Sequence, residues 1–209
     1  MAIAEIPPSS SGRSASEVAQ QAVYDAGDII RSQFLQDIYI EHKGRGNVVT
    51  NVDLLVEKQM LAFLRDEYPD VGVVSEESEE VKGSSPYRWI ADPVDGTRNF
   101  ASGLPLFSVA LALVHYNEPV LGMIYDPIRN ELFHAEVGAG AYLNESPIRV
   151  SNKTSVEESI VALDMGYDDR RAQQALELLL ALWPGMQTIR ILGSAALGMA
   201  YAACGRVDI

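Results

Sequence analysis

Cysteine is nearly absent from this chain: Cys204 stands alone among 209 residues. No intramolecular disulfide can form, so stability must come from a packed core, and a reducing compartment is open to the protein. Basic residues are also scarce. Sixteen Lys and Arg face 29 Asp and Glu, a formal net charge of −13. A surface of that sign repels a phosphate backbone and argues against a general nucleic-acid partner. The three histidines, His42, His115 and His134, show no metal-ligand spacing, which disfavours zinc. No apolar run approaches the ~20 residues that span a bilayer. The N-terminus also lacks the basic region and apolar core of a secretory signal. The expectation is a cytoplasmic protein with no membrane partner.

What is present is ordinary for a globular chain, with 47% hydrophobic and 22% charged residues. The length allows one large domain or one and a half smaller ones. Residues 1–15, with Pro7-Pro8-Ser9-Ser10-Ser11-Gly12, read as a flexible lead-in. A helix capped by Ser16 follows, with Val18, Ala22, Ile29, Ile30 and Phe34 on one face. A short strand from Ile38 to Lys43 leads into the loop Gly44-Arg45-Gly46-Asn47. Thr50 or Asn51 then caps a second helix that ends before Pro69.

The run Phe107–His115, the segment Val120–Tyr125, and shorter segments at Glu131–Ala135, Gly138–Tyr142 and Ile148–Val150 form an antiparallel meander. Asp126, before a proline, reads as a structural turn residue. Beyond Val150 come a strand at Ser159–Leu163 and a helix at Arg170–Leu182 with Leu176, Leu179 and Leu180 inward. A strand at Thr188–Leu192 and a small-residue helix capped by Ser194 follow, and Val207-Asp208-Ile209 opens a further strand. Cys204 falls on the packing face of that last helix, as a buried, inert thiol. A boundary near Val150 divides residues 16–150 from 151–209.

Two segments carry chemistry. In Trp89-Ile90-Ala91-Asp92-Pro93-Val94-Asp95-Gly96-Thr97, an apolar strand end turns sharply and places two carboxylates three residues apart. Aimed at one point, Asp92 and Asp95 would repel unless a cation lay between them, and a hard cation with oxygen ligands suits them. Two solvated aspartates in an ordinary strand–turn–helix link fit this segment equally well. In Val73-Val74-Ser75-Glu76-Glu77-Ser78 a second apolar run ends in acid. The following Glu79-Glu80 reads as a solvated loop.

Together these segments resemble the inositol monophosphatase family, the lithium-sensitive, magnesium-dependent sugar-phosphate phosphatases. Asp92-Pro93-Val94-Asp95-Gly96-Thr97 with Asn99-Phe100 fits the family's signature. Glu76-Glu77-Ser78 fits its paired glutamates, with Ser75 where glycine is usual. Val49-Thr50-Asn51-Val52-Asp53 and Gly193-Ser194-Ala195-Ala196 match further segments in the family's order.

The resemblance implies an α+β fold, a layered α/β/α/β/α sandwich with two subdomains, the second incomplete here. It implies Mg²⁺, with Mn²⁺ as a substitute, held by Glu76, Asp92, Asp95 and the carbonyl of Val94. Asp53 and Thr97, with Glu76, would serve catalysis by orienting and deprotonating the attacking water; as a plain first-turn acid, Asp53 would only complement a helix dipole. The amides of Gly96 and Thr97 would hold phosphate oxygens. Gly193, Ser194 and Ala195 resemble the segment that meets the substrate alcohol; a glycine-permitted turn before a packing helix reads as well there. Lys43 and its glycine loop resemble a mobile loop near the site, or form a plain surface hairpin.

The substrate expected is a small phosphate monoester, inositol 1-phosphate foremost, attacked in line by water. Fructose 1,6-bisphosphate and histidinol phosphate stay open, whereas Asn99-Phe100 argues against nucleotide bisphosphates. A non-catalytic, cation-binding relative is the alternative from another class. A homodimer is implied by resemblance. The family's further metal-binding aspartate follows a tryptophan, and Asp208 does not fit it. The expectation is that residues beyond Ile209 carry it.

Overall fold

The described residues of the computed structural model are 6–44 and 47–209. The first five residues and Arg45-Gly46 of the expected loop lie outside them. Helix α1 (Ala15–Gln33) starts at Ser14, not Ser16. Glu17 lies three residues after Ser14, so the two close a capping box: the Ser14 amide donates to Glu17 at 2.8 Å and the Glu17 amide to the Ser14 hydroxyl at 3.2 Å.

Residues 6–14 are tied down, contrary to the expected flexible lead-in. Ile6 packs on the core, the Ser10 amide donates to the Glu67 carbonyl at 2.8 Å, and the Tyr68 hydroxyl donates to the Pro7 carbonyl at 3.2 Å.

A hairpin of β1 (Ile40–Gly44) and β2 (Asn47–Thr50) follows, β2 being a strand that the sequence reading did not assign and that takes in Asn47 of the expected loop. It delivers Thr50 as the cap of α2 (Asn51–Glu67), in a second capping box with Asp53. Helices α1 and α2 pack side by side through Val18, Val23, Ile30, Val52, Val56 and Leu64.

They cover one face of a seven-stranded sheet, formed by β3 (Gly72–Ser75), β4 (Tyr87–Asp95), β5 (Ser108–His115), β6 (Glu118–Asp126), β7 (Glu131–Glu136), β8 (Gly140–Leu143) and β9 (Ser146–Pro147) in that order. Only β3 and β4 are parallel. The meander therefore stands, but its last strand is Ser146–Pro147 instead of Ile148–Val150, which lies past the pairing with β8. Trp89, Val109, Leu111 and Leu113 alternate inward toward the helices, as period-two side chains must. Asp126 is fully buried and accepts the amides of Ile128 and Arg129, both at 3.0 Å, so it is the turn residue expected.

The opposite sheet face carries small residues (Ala110, Ala112, Gly122) and receives α5 (Ala195–Ala203) through Ala196 and Ala200. Beyond α5 lies a parallel pair, β10 (Ile160–Leu163) and β11 (Thr188–Ile191), joined by α4 (Asp169–Leu182). This is the expected α/β/α/β/α layering.

Three details of this part differ from expectation. Leu179 is buried, but Leu176 and Leu180 are exposed, because the inward stripe of α4 runs Ala172, Ala175, Leu179, Leu182 at helical spacing. Cys204 caps α5 half-buried, its thiol 3.4 Å from the Tyr201 carbonyl. Residues 207–209 hydrogen-bond along β10 without forming a regular strand. No helix among the described residues is long and apolar enough to cross a membrane.

Candidate active site

Strand β4 does not turn after Ala91 as the sequence suggests; it runs on to Asp95. Its register shows how the two aspartates come together. Asp92 pairs with Ala110 and Asp95 with Ser108, so β4 spends two residues, Pro93 and Val94, where β5 spends one. Residues three apart on a flat strand point to opposite faces. The extra residue of this bulge restores the same face. Proline is tolerated there because the bulge frees its position from the ladder.

Gly96 follows with φ of 93° at the start of the short helix α3 (Thr97–Ala101). A Cβ on Gly96 would come within 2.9 Å of the Leu106 carbonyl and 3.1 Å of the Gly193 carbonyl, so two chain segments close on it. Asn99 reinforces that closure. Its Nδ2 lies 2.7 Å from the carbonyls of both Leu106 and Leu192, tying α3 to the turn before α5.

A cavity of about 330 Å³ opens at this junction. Glu76, Asp92, Val94 and Asp95 line it from the ends of β3 and β4, Gly96 and Thr97 from the start of α3, and Gly193 and Ala195 from the turn into α5 that packs against them. Asp53 sits behind Thr97, whose Oγ1 lies 2.9 Å from both Asp53 Oδ1 and the Val94 carbonyl. The other Asp53 oxygen is held by Thr50, through its amide at 2.9 Å and its hydroxyl. Burial raises the Asp53 carboxyl above its usual range, although the hydrogen bonds from Thr50 and Thr97 oppose this.

Asp95 is fully engaged. It accepts the Ser108 hydroxyl at 3.0 Å, the amides of Ala195 and Ala196 at 3.0 and 3.1 Å, and the Ser194 hydroxyl. Ser194, matched by sequence to an alcohol-binding position, is thus buried and turned to Asp95. Helix α5 begins against this carboxylate, whose charge complements its N-terminus.

Asp92 is the contrast. Its Oδ1 is buried and meets no donor. Burial, then the charges of Asp95 and Glu76, push its carboxyl up to about 8, against only the Val94 amide. Glu76 is raised too, chiefly by burial, with Lys43 opposing and Asp53, Asp95 and Glu57 adding to the rise. Among the described residues no three His, Cys, Asp or Glu side chains form a ready-made metal cage. The donor set is nevertheless all hard oxygen, and Asp92, which lines the cavity, keeps one carboxylate oxygen without a donor. The residues fit a divalent cation such as Mg²⁺.

The model of the inositol monophosphatase family matches residues 13–209. The chain belongs to the inositol monophosphatase family. "Nus factor SuhB" of Haemophilus influenzae is 40% identical over 195 residues, covering 91% of this chain and 73% of that protein. "Inositol monophosphatase 1" of Solanum lycopersicum is 34% identical, covering 92% of this chain and 72% of that protein. The crystal structure of the extragenic suppressor protein suhB from Bartonella henselae superposes with a TM-score of 0.88 at 36% identity, over 92% of this chain and 75% of that one.

Within this family fold, the lining residues that escaped the sequence reading include Asp164, Tyr167 and Arg98. Asp164, at the end of β10, faces the cavity and is raised by burial and then by Asp95, with the amides of Met165, Ser194 and Gly193 opposing. Tyr167 and Arg98 stack across the mouth, the guanidinium 4.9 Å from the ring centroid. A signal for Asp164 was available: Ile160-Val161-Ala162-Leu163-Asp164 is a third apolar run ending in acid, like those before Glu76 and Asp92. Nothing in the sequence brings Arg98 to Tyr167. Lys43 on the hairpin forms an ion pair with Glu77 beside the site.

Proposed function

We propose that the chain hydrolyses a small phosphate monoester, inositol 1-phosphate foremost, in a reaction dependent on a divalent cation. The observation that carries this reading is Asp92, which lines one cavity with Glu76 and Asp95 and has a buried carboxylate oxygen that meets no donor. Such a cavity repels a phosphate until its own charge is neutralised. Glu76, Asp92, Asp95 and the Val94 carbonyl would hold Mg²⁺, or Mn²⁺ in its place. A bound cation supplies Lewis acidity there, screening the phosphate and polarising a phosphoryl oxygen.

The chain's own residues do the rest. Water placed against Thr97 can pass its proton through the Thr97 hydroxyl to Asp53, and the raised affinity of Asp53 for protons suits a general base. The amides of Gly96 and Thr97 hold phosphate oxygens as the reaction proceeds. Gly193 and Ala195 form the wall that faces the leaving alcohol, while Ser194 acts indirectly by fixing Asp95.

The test is phosphate release from inositol 1-phosphate with and without Mg²⁺, with fructose 1,6-bisphosphate and histidinol phosphate run in parallel. Release that requires the cation is expected. A second reading, a non-catalytic cation-binding regulator, is favoured by one observation: the 40% identical relative carries the name Nus factor SuhB. A protein that binds Mn²⁺ yet releases phosphate from none of the three esters would establish that second reading instead.

A further inference from the structure

The loop carrying Glu76 is held by residues that the chemistry above does not use. It leaves β3 after Ser75 and returns at Val81, whose amide and carbonyl pair with Val73 at 2.9 and 2.8 Å. Between those ends Glu77 meets Lys43, and the Ser78 hydroxyl donates to Glu57 Oε1 at 3.1 Å. Glu57 belongs to α2 and is buried, with 6% of its surface exposed. It follows Asp53 by four residues, one helical turn on, so the two carboxylates project from the same side of α2.

Glutamine could accept the Ser78 hydrogen bond equally well, without burying a charge among like charges. The carboxylate is present despite that cost, and it stands close to the site: the Ser78 that it holds lies two residues from Glu76. A buried negative charge so placed makes a cation beside Glu76 easier to hold. Groups behind metal ligands commonly act in both ways, by orienting the ligand and by tuning its charge.

We infer that Glu57 is a positioning residue for the cation bound at Glu76, pinning the ligand-bearing loop through Ser78 and contributing a buried charge that strengthens cation binding. The inference rests on the cation site proposed above, and its test is made without substrate. Mn²⁺ binding to the metal-free protein, read as loss of the free-ion electron paramagnetic resonance signal, is compared for the parent, Glu57→Gln, Ser78→Ala and Glu57→Leu. Glu57→Gln keeps the acceptor and loses the charge. Its affinity should fall about tenfold, within the range for groups behind metal ligands, while its metal-free Tm stays equal or rises. Ser78→Ala keeps the charge and loses the tie, and should fall less; Glu57→Leu should fall most.

In phosphate release, saturating Mn²⁺ should return Glu57→Gln to the parental kcat, whereas a merely structural role would lower kcat at any metal concentration. Parental Mn²⁺ affinity in Glu57→Gln would overturn the inference while leaving the cation site intact. A parent that binds no Mn²⁺ would overturn the cation site and the inference with it.

Discussion

Glu67 and Asp92 are both largely withdrawn from solvent, yet their protons are pushed in opposite directions. Glu67, at the end of α2, is met by the hydroxyls of Ser11 and Ser9 and by Arg13, and is lowered to about 2. Asp92, near the end of β4, is raised to about 8 by burial and then by the charges of Asp95, Glu76 and Asp53, against a single amide. The protein surrounds the first with donors and leaves the second without them. The carboxylate with satisfied oxygens fastens residues 6–14 to α2; the one with an orphaned oxygen belongs to the cation site proposed above. Burial, neighbouring carboxylates and the lack of donors act together on Asp92, whereas hydroxyls and a guanidinium meet Glu67.

The largest expected effect comes from removing the orphan. Asp92→Asn should reduce Mg²⁺-dependent phosphate release by on the order of 10³-fold, the scale of losing a preorganised electrostatic contact in a closed site. The fold should survive, because the change removes like-charge repulsion; unimpaired turnover would show that Asp92 has no part in the site.

Next in size is the proton path. Asp53→Asn and Thr97→Ala should each lower kcat by about 10²-fold, in the range of general acid–base catalysis, with the Mg²⁺ requirement little changed. A change confined to KM would assign the pair to substrate binding.

The two acids also predict opposite pH slopes. Asp92 has an ordinary value of 3.8 and a folded value of about 8, so the metal-free folded chain holds an extra proton between them. Stability should therefore fall as pH rises through that window, and Mg²⁺ should flatten the slope by replacing the proton. Melting curves across this range, with and without Mg²⁺, check it; identical slopes would contradict it. Glu67 runs the other way. Its stabilisation is complete above 4.5 and disappears as pH falls toward 2.

The smallest effect belongs to that clasp. Arg13→Ala should lower Tm slightly and leave kcat unchanged, since the Arg13–Glu67 pair sits at the partly exposed far end of α2. A change in kcat would mean that the clasp reaches the site.

Much of the candidate site's grouping in one cavity was legible in the sequence, because several of its residues fall at the ends of apolar runs where strands must stop. Glu76, Asp92, Asp95 and Thr97 could be picked out with their chemistry, and Thr50 could be read as a helix cap three residues before Asp53. Asp164 carried the same signal unread. The N-cap at Ser14 was missed although Glu17 completes its box, because Ser16 competed at the same edge. The exposure of Leu176 and Leu180 was not legible: a leucine-rich helix does not reveal which stripe its neighbours will cover.

By itself the sequence determined the order of the long helices and of the main meander strands, the oxygen-rich character of the candidate site and the glycine at position 96, since these follow from local periodicity, side-chain chemistry and a backbone only glycine adopts easily. Tertiary structure alone decided that Asp92 and Asp95 share a face, through a bulge set by pairing with β5. It also decided that Asp95 is saturated by α5, about a hundred residues away in the chain, while Asp92 Oδ1 is left unpaired. The reason is physical: whether a carboxylate is satisfied depends on which distant donors packing brings to it, and spacing along the chain does not encode that.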